Sequence, residues 1–110
     1  MNKIRLIRNE DIEQVLIGVP KDHKHLRVYV KLKTGGGFIF QEATIANLLR
    51  AYITIKTHPT VRAKELKMKI LTVEQQKEGF AAHQLLETLR KEEEIEKELS
   101  ELLKKSKISF

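Results

Sequence analysis

Cysteine and tryptophan are absent from this chain. Without thiols there is no disulfide framework and no thiolate metal site, which fits a reducing compartment. Serine is nearly as scarce, occurring only at Ser100, Ser106 and Ser109, in or near a charged C-terminal stretch. A Ser- or Cys-based catalytic triad therefore has no residues to use, whereas a Thr, Lys or carboxylate mechanism stays open. No apolar run approaches the roughly 20 residues of a membrane span. The opening MNKIRLIRNED lacks an apolar stretch of signal-peptide length, so a soluble, cytoplasmic protein is expected. An RNP1-like sequence is absent, and the strand Leu26–Lys33 carries one aromatic where a nucleic-acid-binding sheet of that kind usually shows several.

What remains is charge and aliphatic residues. A length of 110 residues suits one small domain, and 41 % apolar content supports a modest core. Charged residues reach 33 %, mostly Lys and Glu, an association with thermophilic composition. The net charge of +6 is unevenly distributed. Residues 1–72 carry 14 Lys/Arg against 6 Asp/Glu, and residues 73–110 carry 7 against 9. A basic body attracts polyanions, and an acidic helix suits a basic surface. The expected layout is a small α+β domain over 1–72 and a C-terminal helical extension over 73–110.

Alternation predicts strands in the first part. Lys3–Arg8 and Ile12–Val19 read as short strands, separated by the turn residues Asn9, Glu10 and Asp11 and ended by Pro20. Leu26–Lys33 is the clearest strand: Leu26, Val28, Val30 and Leu32 point one way, Arg27, Tyr29, Lys31 and Lys33 the other. Thr34-Gly35-Gly36-Gly37 supplies a hairpin turn, and Phe38–Gln41 returns as its partner. Residues 61–71 fit either period, with a strand favoured over 65–71. These pieces predict an antiparallel sheet of four or five strands.

A helix follows the hairpin. Thr44 is the expected N-cap, and Ile45, Leu48, Leu49, Tyr52, Ile53 and Ile55 cover an arc of roughly 180°. Asn47, Arg50 and Thr54 form a narrow polar back, and Pro59 ends the run. An arc so wide suits a helix that covers one face of the sheet. Thr72-Val73-Glu74-Gln75 then reads as a capping box opening a helix as far as Lys105, with Gly79 a place where it would break. Unbroken, that helix is about 50 Å long. Its apolar residues fall into two patches out of phase, Ala82, Leu85, Leu86 and Leu89, then Ile95, Leu99, Leu102 and Leu103. The first patch is expected to pack at home and the second to serve as an oligomer contact.

The residues that carry chemistry are few. The TGGG loop lacks the Lys-Ser/Thr and the helix of a phosphate-binding loop, so it is a turn. His23, His25, His58 and His83 are scattered; His23 and His25 beside Asp22 are a weak metal signal and fit solvated loop residues, so no metal or cofactor is assigned. Arg27, Tyr29, Lys31 and Lys33, with Lys67 and Lys69 as further cations, combine phosphate-pairing charge with a stacking ring. The competing reading is an ordinary solvated outer face, or a sheet edge protected by lysine. The basic-apolar tail Lys104–Phe110 reads as a frayed end, or as a docking or membrane-surface segment.

Three classes of function follow. The first is a non-enzymatic oligomeric binding module whose basic sheet face meets nucleic acid or another polyanion. The second is an interaction or scaffold protein acting through its C-terminal helix. The third is an enzyme or metal-dependent protein with a pocket at an oligomer interface.

Overall fold

Alternating apolar residues become strands only where a partner completes their backbone hydrogen bonds, and that rule organises the chain. A computed structural model describes residues 4–105. A 3-10 turn at Asn9–Asp11 leads into β1 (Ile12–Gly18), β2 (Arg27–Leu32), β3 (Gly37–Gln41) and α1 (Glu42–Thr57). Then come β4 (Leu66–Ile70), the short helix α2 (Val73–Lys77), β5 (His83–Glu87) and α3 (Glu92–Lys105). The class is α+β, with two antiparallel sheets, ordered β1-β2-β3 and β4-β5. Two compact units are distinguished, Met1–Ile45 with Ser100–Phe110, and Ala46–Leu99.

In the first unit β2 is the central strand. Its register pairs Tyr29 with Leu16 on one side and Ile39 on the other, and Val28 with Ile17 and Phe40. Directly opposed residues share a sheet face. One face therefore holds Val28, Val30 and Leu32 with Val15, Ile17, Phe38 and Phe40. The other holds Arg27, Tyr29 and Lys31 with Leu16 and Ile39. Val28 and Leu32 are buried, at 8 % and 6 % exposure. The hairpin closes through Leu32 N–H donating to Gly36 O at 3.1 Å. Gly35 and Gly36 have φ of 95° and 75°, where a side chain would be strained.

The expected strand at residues 3–8 does not form over the described residues 4–8, which lie outside any ladder. Its alternation is right, but no neighbouring strand receives its N–H and C=O groups. α1 begins at Glu42, so Thr44 lies in its first turn rather than capping it. Helix and strand meet with no loop between them, which leaves no separate capping residue.

In the second unit the strand expected over 65–71 is β4. The Thr72–Gln75 capping box is present, with Gln75 N–H donating to Thr72 Oγ1 at 3.3 Å and Thr72 N–H to Gln75 Oε1 at 3.1 Å. The long helix it was expected to open is not. α2 ends after Lys77, Gly79 takes a φ of 98°, and the chain returns as β5. There Met68 faces Leu85, Lys67 faces Leu86 and Ile70 faces His83. Local preference favours helix through 82–89, but β5 supplies the hydrogen-bond partners β4 would otherwise lack. The supposed helical patch is thereby split. Leu85 and Leu86 sit on opposite faces of β5, and Leu89 beyond it is exposed. Ala63 and Ile95, at 4 % and 7 % exposure, are the buried residues of this unit.

α3 starts on Glu92, Glu93 and Glu94 and ends on Lys104 and Lys105, charges placed to favour the helix dipole at both ends. The tail residues 106–110 and residues 1–3 lie outside the described residues. No described helix is long and apolar enough to cross a membrane.

With so few buried side chains among the described residues, each should count heavily. Leu32→Ala is expected to cost about 2–5 kcal/mol in urea unfolding, whereas Ile39→Ala, 70 % exposed, should stay within about 0.5 kcal/mol.

Candidate binding face and ion-pair cleft

Because β2 has a neighbour on each side, its outward residues project from the middle of a sheet face rather than from an edge. Arg27, Tyr29 and Lys31 form that row, and Lys33 lies one residue past the strand end. Tyr29 is flanked by Leu16 and Ile39 across the two ladders. Gly37 makes room for the ring: a Cβ there would lie 3.1 Å from Tyr29 Cε1 and 2.4 Å from Val30 O. A cleft of about 570 Å³ opens on this sheet, lined by Leu16, Ile17, Val19, Arg27, Tyr29 and Ile39, with His23 beside them.

The charges of the row are in part engaged. Arg27 is half-buried, and one guanidinium nitrogen donates to Leu26 O at 3.2 Å. Lys31 Nζ lies 3.5 Å from Glu13 Oε2. The remaining Arg27 donors and the Tyr29 ring border an apolar hollow, an arrangement suited to an anionic group attached to a flat or apolar body. Lys67 and Lys69 belong to the other unit, on the β4 face shared with Leu86 and Gln84. Lys67 Nζ is 3.9 Å from Glu65 Oε1.

His25 Nδ1 lies 3.1 Å from Glu42 Oε2, at an exposed contact, and His58 sits against Thr54 O and Thr57. Among the described residues no three His, Asp or Glu side chains converge as metal ligands. Of the residues expected at an oligomer contact, Ile95 is buried within its own chain, Leu99 is exposed, and Leu102 and Leu103 are half-buried.

Sequence reading missed a second cleft, of about 150 Å³, in the Ala46–Leu99 unit. It is lined by Lys64, Glu65, Glu87, Thr88 and Arg90, with Ala63 and Ile95. Arg90 is its hub. The guanidinium donates to Glu65 and, at 2.6 Å, to Glu98, with Glu94 at 4.0 Å. Lys64 pairs with Glu87 at 2.5 Å, and Arg62 with Glu96 at 3.4 Å. The hydrogen bond to Glu98 raises the Arg90 pKa above its already high ordinary value, against an opposing desolvation and with help from Glu65. Its charge is therefore present at every pH below that ordinary value, and the stabilisation tied to its own proton does not vary there.

Glu65 Oε1 and Thr88 Oγ1 are buried without a hydrogen-bond partner among the described residues. Cations and carboxylates are interleaved around them, so the cleft has no excess of one sign with which to draw an ion. We read it as a clasp that holds the segment before β4, the end of β5 and the start of α3 together. The signal in the sequence was a long-range pairing, Glu65 with Arg90, which no periodicity reports.

Comparison of the chain with protein-family models, with curated proteins and with solved structures finds no match.

The clasp predicts a salt-sensitive stability. Arg90→Met should lower the thermal midpoint, and its gap from the parent should narrow between about 0.01 M and 1 M salt, as screening shortens from roughly 30 to 3 Å. A gap independent of salt would assign Arg90 a packing role instead.

Proposed function

We propose that the protein is a non-enzymatic, oligomeric binding module whose β2 face takes single-stranded nucleic acid. The observation that carries the reading is the Arg27–Tyr29–Lys31 row at the centre of a sheet face, beside an apolar cleft. Cations along a groove neutralise phosphates without regard to sequence. One ring offers a stacking platform for a base, and Leu16 and Ile39 extend it with apolar surface. The formal net charge of +6 favours encounter with a polyanion. Lys33 adds a cation beyond the strand end. In the Ala46–Leu99 unit Lys67 and Lys69 form a basic strand row of their own.

A second reading, an interaction or scaffold protein, is favoured by a different observation. Leu48, Leu49, Tyr52 and Ile53 form an exposed apolar arc on α1, and Leu99 is exposed on α3. In that reading the α1 arc meets an apolar surface of a partner protein, and α3 carries a partner contact through Leu99, Leu102 and Leu103.

Fluorescence anisotropy with a labelled single-stranded oligonucleotide separates the two. Under the first reading the doubly reversed variant Arg27→Glu/Lys31→Glu weakens binding at least about tenfold and lowers the salt slope by about 1.4, at 0.7 per phosphate contact. Tyr29→Ala is expected to lose about 1–3 kcal/mol. Unchanged affinity in all of these variants would leave the scaffold reading standing.

A further inference from the structure

The geometry points to a second copy of this chain as the occupant of the open edge of β1, paired antiparallel about a two-fold axis at Leu16. Three features of the first unit lead there.

The first is the edge itself. Among the described residues β1 pairs with β2 alone. Yet its residues Val15, Leu16 and Ile17 form an unbroken apolar run, unlike the charged or proline-bearing edges that resist pairing. Val15 is 46 % exposed and Ile17 65 %. No lysine or proline lies within Ile12–Gly18 to protect it. Its only charge is Glu13, engaged with Lys31 of β2 at 3.5 Å.

The second is the direction of the backbone groups. Leu32 N–H bonds to Gly36 O, and Lys33 N–H to Asp11 O at 3.0 Å. Alternation along an antiparallel ladder then turns the N–H and C=O of Tyr29 and Lys31 toward β1. Their opposites, Leu16 and Gln14, face β2 in return. The groups left pointing outward are those of Val15 and Ile17, the two residues with the more regular apolar face.

The third is that the edge complements itself. The regular part of β1 runs from Gln14 to Gly18, because the register shifts between Ile12 and Gln14. Pro20 has no N–H with which to extend a ladder past the other end. Antiparallel pairing centred on Leu16 sets Val15 opposite Ile17 of the partner subunit and Leu16 opposite Leu16 of the partner subunit. Val15 and Ile17 then exchange their free hydrogen bonds, and apolar residues meet apolar residues across the join. The same arrangement brings the Lys21 end of each strand to the Asp11–Glu13 end of the other, opposite in charge. Parallel pairing would set Glu13 beside Glu13. The two-fold contact closes on itself, so it yields a dimer and not a filament.

The test is the mass in solution. Light scattering should give twice the 12.8 kDa of the chain; a monomer at all concentrations overturns the pairing. The N–H that Ile17→Pro removes points outward and not toward β2, and Val15→Lys adds an edge charge; both should be monomeric with the far-ultraviolet dichroism retained. A dimer that persists in both overturns the assignment. Leu99→Glu should remain dimeric, and its dissociation would place the contact on α3 instead.

A cross-link test is independent of these variants, and the absence of native cysteine makes it unambiguous. Opposed residues at a non-hydrogen-bonded position have Cα atoms about 4.5 Å apart, inside the disulfide range of about 4.4–6.8 Å. Leu16→Cys should therefore oxidise to a covalent dimer, while Gln14→Cys, opposite Gly18 of the partner subunit, should not. Equal cross-linking of the two, or none at Leu16→Cys, overturns the register.

Discussion

Backbone pairing is the interaction on which the rest of this structure depends. Among the described residues few side chains are buried: Val28 and Leu32 in one unit, Ala63 and Ile95 in the other. The elements are therefore held in large part by the ladders, β2 between two neighbours and β4 against β5. A strand without a partner leaves N–H and C=O groups unmatched wherever water is excluded. That requirement overrides helix preference in residues 83–87 and denies strand structure to residues 4–8; among the described residues the outer edge of β1 has no strand partner.

Side-chain chemistry is arranged around the ladders. In the first unit, β2 divides its residues between an apolar face anchored by Val28 and Leu32 and a mixed face carrying Arg27, Tyr29 and Lys31. In the second, the Arg90 clasp fastens α3 to the strand pair through Glu65, Glu94 and Glu98. Exposed ion pairs are individually weak, and a shared, partly covered guanidinium is the arrangement in which they count. The clasp and the buried Ile95 thus act together on the same end of α3.

Much of this was legible locally. The alternation of Leu26–Lys33, the three consecutive glycines and the Thr72–Gln75 capping box each encode their structure within a few residues, and each is present. The candidate row was legible for the same reason, since a period of two places Arg27, Tyr29 and Lys31 together. The cleft beside it was not, because Leu16 and Ile39 come from other strands and only the register brings them to Tyr29. Nor was the Arg90 clasp, whose partners lie 25 residues away at Glu65.

The stretch 73–105 marks the division between the two kinds of information. By itself the sequence determined where a helix must begin, at the Thr72 cap, and where it is free to end, at Gly79. It determined the amphipathic pattern of α3 and the dipole-matched charges at its ends. Whether residues 83–87 continued as helix or turned back as β5 was decided by β4, which offers hydrogen bonds that a local period cannot register. Tertiary pairing also separated Leu85 from Leu86 and turned Ile95 inward. Propensity acts over a turn or two of chain, whereas a ladder joins residues far apart in sequence, and its unmet hydrogen bonds outweigh the small helix preference of any one residue.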